Sequence, residues 1–364
     1  MKRLLALLLV LCLMLCGCGK SAEAPTEAPT EAPTEPAVTE APTEAPTEEP
    51  TEPEAPVYRH PLTGEIMEGP STVRPVASTI NNVKKALPQH GISQADVFYE
   101  LECEGAATRG LAIFSDISAV GPIGSIRSAR TYFNSIMASY DGILVHTGSS
   151  KYANNGQYDL EGTRGEQYDH IDFIQIAGVG YRDEARRKAG YDSEHTMFTD
   201  GERVTKALNE KVDFPSVREE GLDYGLQFQE EPEISGEPAN DILITFAGTK
   251  TTGMKRNLET GLYEASQFDQ PWIDAENDTV MSFRNVFVLT ADRRRPEGKN
   301  SFYTLIGTGD GYFACDGQMV KIQWHRETYQ DPFSYTLTDG TPITLGVGKT
   351  FVAIVTADGT VTYS

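Results

Sequence analysis

The chain has 364 residues, with 31 Lys and Arg against 53 Asp and Glu and a formal net charge of −22 at neutral pH. So acidic a surface excludes the broad binding of a polyanion such as nucleic acid, whose affinity comes largely from Lys and Arg on phosphate. Five cysteines without a CxxC pair or a Cys/His cluster exclude a disulfide framework and argue against structural zinc, so no metal or other cofactor is expected.

Met1-Lys2-Arg3 is a short cationic start, and Leu4 to Leu15 is an almost unbroken apolar run. Together they read as a secretory signal, too short to span a bilayer as a mature helix. Leu15-Cys16-Gly17-Cys18 then matches the lipobox of bacterial lipoprotein precursors, which implies a signal peptide over residues 1–17 and diacylglycerol on Cys18. Two acyl chains anchor a protein stably where one does not. The expected location is the extracellular face of a Gram-positive-type cell membrane, with the membrane itself as first partner.

Residues 18–56 carry the lipidation site and a repeat of Pro-Thr-Glu-Ala-like units. This stretch has prolines at 25, 29, 33, 42, 46 and 50, ten Glu after Lys20, and no aromatic residue. It cannot bury a core, and its prolines bias it to extended polyproline II. At about 3.1 Å per residue it would span on the order of 100 Å as a stalk.

From Val57 onward the remaining 308 residues carry 28 Lys and Arg against 43 Asp and Glu. That length suggests two domains, or one large one. Val76 to Asn82, Asp96 to Glu102 and Arg109 to Ser115 read as strands. Arg130 to Tyr140 reads as a helix with Phe133, Ile136, Met137 and Tyr140 on one stripe. Gly142 to Thr147 follows as a strand, then a second helix over Gly201 to Glu210. An α+β or α/β first domain over 57–212 results.

Residues 213–241 turn acidic and weakly periodic, which marks a linker. Beyond it, Ile242 to Ala247, Met281 to Thr290, Tyr303 to Gly307, Gly311 to Cys315, Met319 to Arg326, Ser334 to Thr338 and Thr350 to Val355 read as strands separated by Asp-Gly turns. The second domain, 242–364, is expected to be mainly antiparallel β. Cys103 and Cys315 are either bridged across the halves or two small buried residues.

The ordered motifs Arg74-Pro75-Val76-Ala77, Asp96-Val97-Phe98-Tyr99-Glu100, Thr108-Arg109, Gly124 with Arg127-Ser128-Ala129-Arg130, and Tyr140 through His146 with Gly148 resemble the DUF3048 (YerB-like) lipoprotein family. Asn285-Val286, Gly307, Gly309, Gly317, Trp324, Gly340 and Gly348-Lys349-Thr350 resemble its separate C-terminal domain. The resemblance covers Tyr58 to Thr356 and implies a two-domain envelope lipoprotein of no settled activity. Departures fall at Tyr263-Glu264-Ala265, at Gln270 to Asp274 and at Glu194-His195-Thr196, where the family pattern differs.

The constellation with the most chemical content is cationic. A helix beginning near Ser125 puts Arg127 and Arg130 one turn apart at its N-terminal end, where backbone N–H groups and guanidinium forks suit a carboxylate or phosphate. Arg109 and His146 are expected to converge there, with Glu100 or Glu104 as counter-ions. The alternative is that these carboxylates simply weld helix to sheet. Ser149 and Ser150 beside His146 lack a nucleophile elbow. His170 with Asp169 and Asp172 reads as a solvated loop, and Arg293-Arg294-Arg295 as a solvent-facing hairpin tip.

Two functions fit. One is a non-catalytic binding or scaffold module presented to a cell-wall polymer or a wall-assembly protein. The other is an enzyme acting on a phosphorylated or acidic wall or lipid-linked glycan through the arginines.

Overall fold

The computed structural model describes residues 56–150, 168–218, 222–246, 250–295 and 300–364; Cys18 and the stalk lie outside them. The strands used below are, in chain order, β1 (Val76–Asn82), β2 (Val97–Glu102), β3 (Thr108–Phe114), β4 (Ile143–His146), β5 (His170–Asp172), β6 (Glu237–Pro238), β7 (Asp241–Thr245), β8 (Thr251–Arg256), β9 (Tyr263–Gln267), β10 (Asn285–Thr290), β11 (Gly307–Cys315), β12 (Gln318–Arg326), β13 (Ser334–Leu337), β14 (Thr350–Val355) and β15 (Thr360–Tyr363). The helices are α1 (Thr131–Ala138), α2 (Glu184–Lys188) and α3 (Gly201–Glu210).

Every residue of β1, β2, β3 and β14 is buried, the pattern of strands covered on both faces. Successive side chains alternate between two cores, as strand geometry requires. Phe98, Phe351, Val286 and Val288 enter one core; Val97, Tyr99, Val352, Ile354 and Phe287 enter the other. The second core is closed by α1, which contributes Tyr132, Phe133, Ile136 and Met137. The first is closed by a smaller antiparallel sheet of β15, β7, β8 and β9, which contributes Ile242, Ile244, Met254 and Ala265.

Eleven strands make one mixed sheet in the order β6-β12-β11-β10-β14-β2-β3-β1-β4-β5, with β13 also paired to β12. Its centre joins the two halves of the chain: β14 runs parallel to β2, with Thr350 opposite Val97 and Ile354 opposite Leu101. Ala55–Ser364 accordingly forms one compact unit. Residues 213–241, expected as a linker, are tied to both halves in their described part. Val217 bridges Val73, Gln227–Gln229 pairs with Thr344–Gly346, and β6 joins β12.

The chain is mostly β. Among the described residues its three α-helices, of 8, 5 and 10 residues, all fall in the half expected to mix helix and strand. In α3, Asp200 caps the N-terminus by accepting from the Arg203 N–H at 2.9 Å. Among the described strands, pairs formed within the C-terminal half are antiparallel except β10 with β14, which run parallel. Cys103 and Cys315 are both buried and free.

Buried polar contacts join the halves, among them those of Glu100 and Arg326. Glu100, fully buried on β2, meets Lys250 Nζ at 3.1 Å and accepts from Thr252 Oγ1 at 2.7 Å, Thr108 Oγ1 at 2.5 Å and Asn82 Nδ2 at 2.8 Å. Arg326 of β12, also fully buried, donates to the Ser135 carbonyl of α1 at 2.7 Å and to Ser135 Oγ at 2.9 Å. Removing one member of a buried ion pair strands its partner's charge, at a cost of about 3–5 kcal/mol. Glu100→Ala is therefore expected to lower unfolding free energy by roughly that amount in urea titration. Glu100→Gln combined with Lys250→Met should recover most of it. A loss under about 1 kcal/mol for Glu100→Ala would show that the pair does not hold the halves.

Candidate functional site

The arginine cluster lies where an extended strap, residues 127–130, passes between β1 and the loop after β4. The Arg127 N–H donates to the Thr79 carbonyl at 3.1 Å, Thr147 N–H donates to the Arg127 carbonyl at 3.1 Å, and Ala129 N–H donates to the Gly148 carbonyl at 2.9 Å. Helix α1 starts only at Thr131, with Arg130 as an extended N-cap at φ −132° and ψ 154°. Arg127 and Arg130 are thus not one helical turn apart, as expected, because both precede the helix. Backbone pairing with β1 and the β4 loop holds this stretch straight.

Each of these arginines has a carboxylate partner in the protein. Arg127 Nη1 meets Glu194 Oε2 at 2.9 Å. Arg130 grips Glu104 with a fork, Nε and Nη2 lying 3.1 and 2.8 Å from Oε2. Burial opposes the charge on both Arg130 and Glu104, but their mutual hydrogen bonds outweigh it, raising the arginine pKa and lowering that of the glutamate. Glu104 also receives Ser301 N–H at 3.3 Å.

Arg109 stands apart from this pattern. It sits on β3 at 6% exposure, and its Nη1 donates to the Ser128 carbonyl at 2.7 Å, an oxygen shared with Arg130 Nη1 at 3.4 Å. Among the described residues no carboxylate lies within ion-pair distance of it. Burial, and after it the neighbouring charge of Arg130, hold its pKa below the ordinary value. Of the expected counter-ions, Glu104 is in place, whereas Glu100 is committed to Lys250 in the core.

His146 lies beside the strap but faces another histidine. Its Nε2 is 2.9 Å from His170 Nδ1, its Nδ1 is 2.7 Å from the Gly148 carbonyl, and the two rings stack at 5.0 Å. Burial, followed by the charge of His170, pushes its pKa down to about 4. His170 belongs to β5 instead of a solvated loop, Asp172 accepts Gly148 N–H at 2.8 Å, and Asp169 pairs with Arg74 at 2.6 Å. Both ring nitrogens of His146 are engaged, so neither is open to Ser149 or Ser150 as a base. Burial also pushes the Cys103 thiol up, away from a reactive thiolate.

The residues that sequence reading missed come from the C-terminal half. Arg293 and Arg295, expected at a solvent-facing tip, both reach Glu102; Arg295 Nη2 is 3.0 Å from Oε1 and 3.1 Å from the Cys103 carbonyl. Spacing of two residues on an extended chain puts both on one face, which was the available signal. No group of three or more potential metal ligands exists among the described residues.

A mostly β body in two segments, with an arginine cluster beside the turn that follows β2, is a fold already represented among solved structures. The chain belongs to the DUF3048 family, described as a protein of unknown function, whose N-terminal domain matches residues 62–215 and whose C-terminal domain matches residues 242–352. It is 26% identical over 308 residues to "Putative lipoprotein YerB" of Bacillus subtilis (strain 168), covering 81% of this chain and 85% of that one. The crystal structure of YerB from Bacillus subtilis superposes with a TM-score of 0.69 at 26% identity, covering 84% of this chain and 99% of that one. No described helix is long and apolar enough to cross a membrane.

The histidine pair predicts a pH dependence. His146 has a folded pKa near 4 against an ordinary 6.5, so as pH falls the unfolded chain takes up the proton first. Stability present above pH 6.5 is lost as pH falls toward 4, by up to about 2 kcal/mol between pH 6.5 and 5 for this one group. His170 and His195 are shifted in the same direction. Urea titrations at pH 7 and pH 5 should show this loss, and His146→Gln should flatten the slope. An unchanged slope in that variant would place the acid sensitivity elsewhere.

Proposed function

We propose that this chain is a lipid-tethered envelope protein that works by binding and not by catalysis, and that its N-terminal half receives an acidic group at Arg109. The observation that carries the reading is Arg109 itself, a guanidinium at 6% exposure with a carbonyl as its hydrogen-bond partner and no carboxylate beside it among the described residues. Buried charge without a counter-ion is unfavourable, and an anionic ligand group would supply the missing charge. Arg127 and Arg130 are neutralised by Glu194 and Glu104, so they shape this site more than they bind. The engaged imidazole of His146 and the raised Cys103 pKa leave the enzyme reading without a base or a nucleophile there. Nucleic acid is disfavoured as a partner by the net charge of −22, whereas a single carboxylate or phosphate of a wall polymer or a partner protein is compatible with it.

Phosphate at millimolar levels should raise the melting temperature of the protein with an increment that grows with concentration, as linkage requires. Arg109→Ala should abolish the increment, while Arg127→Ala keeps it. Indifference of the wild type to phosphate, sulfate and carboxylates would sink the anion site. For the tether, metabolic labelling with an azido fatty acid should mark the wild type, and Cys18→Ala should remove the label; label persisting in Cys18→Ala would refute the assignment of that cysteine.

A further inference from the structure

A cavity sharing no residue with the arginine cluster opens beside the hairpin of β9. It has a volume of about 300 Å³ and is lined by Lys84, Leu87, Pro88, Gln89, the run 267–268 and the run 270–273. That size is at the low end for ligand pockets, about 300–1,000 Å³, and suits one ring-sized unit.

Of the three glutamines that line this cavity, the two buried ones, Gln89 and Gln267, are in opposite states. Gln89 is fully used: its Oε1 accepts from the Trp272 indole N–H at 3.0 Å, and its Nε2 donates to the Asn81 carbonyl at 3.1 Å and to Asn82 Oδ1 at 2.8 Å. Gln267, at 3% exposure, has no hydrogen-bond partner among the described residues for either its amide oxygen or its amide nitrogen. Buried side-chain amides without a single partner are exceptions in folded proteins, and each calls for a cause.

The adjoining turn is also unusual. Gln267 and Gln270 close a two-residue hairpin whose central residues, Phe268 and Asp269, have φ of +52° and +62°. Such a turn favours Asn-Gly, and an aromatic residue there is held in a conformation it avoids. Strain of this kind concentrates at ligand clamps. The strained conformation places an aromatic ring in the cavity wall next to the unpaired amide, with Lys250 Nζ 4.9 Å from the ring centroid.

We infer that this cavity binds one pyranose ring of a glycan. An amide offers a donor and an acceptor side by side, which a vicinal pair of sugar hydroxyls matches: with its side chain turned toward the ring, Gln267 accepts from one hydroxyl at Oε1 and donates to the other from Nε2. The C–H face of the ring then packs on Phe268, Leu87 and Pro88, while Lys84 and Gln270, both exposed, supply hydroxyl partners at the rim. A charged ligand is not required by this chemistry, which separates it from the anion site proposed above.

The test uses the full-length chain in detergent and its tryptophan emission, since Trp272, one of two tryptophans, lines the cavity. Methyl glucopyranoside, N-acetylglucosamine and soluble peptidoglycan fragments are titrated, with glycerol as control. Saturable emission change with at least one pyranose is expected, and tighter response to the fragments than to the monosaccharides identifies a polymer source. Gln267→Met, which removes an unpaired amide at similar volume, should melt no lower than the wild type yet weaken binding by about tenfold or more. Phe268→Ala should weaken it as well. No emission change with any sugar, or binding undiminished in both variants, would overturn the inference. A Gln267→Met protein that melts well below the wild type would show the amide to be structurally paired and would equally overturn it.

Discussion

Everything in this molecule hangs on the parallel pairing of Thr350–Val355 with Val97–Glu102. These two strands carry side chains into both cores at once, so the sheet continues without a break from the N-terminal strands to the C-terminal ones. The buried Glu100–Lys250 pair reinforces the junction from one face and the Arg326–Ser135 contacts from the other. The two family segments, matched at 62–215 and 242–352, are therefore halves of one structure in their hydrogen bonding, although each is recognisable by itself in sequence.

The same junction shapes the arginine cluster. The turn after Val97–Glu102 presents Glu102 and Glu104 in quick succession, and the C-terminal half supplies Arg293 and Arg295 to the first while Arg130 takes the second. Every carboxylate of the turn is thus consumed. Arg109, one strand over, is left among the described residues with the Ser128 carbonyl as its hydrogen-bond partner. A positive group in such a place is what remains of an otherwise complete charge matching among the described residues, and the proposed anion site rests on it.

Much of the strand and helix pattern was legible in the sequence where periodicity was strong. Val76–Asn82, Thr350–Val355 and Gly201–Glu210 fall at the expected positions because β-branched runs and a capped amphipathic stretch need no help from tertiary context. Thr251–Arg256, Tyr263–Gln267 and Thr360–Tyr363 were not legible, since Gly253, Lys255 and Glu264 dilute the pattern on strands of a half-exposed sheet. At the site, the pairing of Arg130 with Glu104 followed from proximity in the fold of one half. The partner of Glu100 did not, because Lys250 comes from the other half and no local spacing announces it. The loss of the helical geometry for Arg127 has a similar origin: its backbone hydrogen-bonds to Thr79 and Thr147 before the helix can begin.

The order of the strands also has a consequence in time. Strand Val97–Glu102 finds its neighbour Thr108–Phe114 at once, by a short turn, but its other edge stays open until Thr350–Val355 arrives near the end of the chain. Contacts of such sequence separation form slowly, and an open apolar strand edge invites pairing with other chains in the meantime. A polypeptide emerging amino end first would hold that edge unpaired until almost its whole length was available. Its vulnerable period is set by how fast its last strands emerge, which makes factors that shield nascent chains more consequential for this protein than for one whose halves close separately.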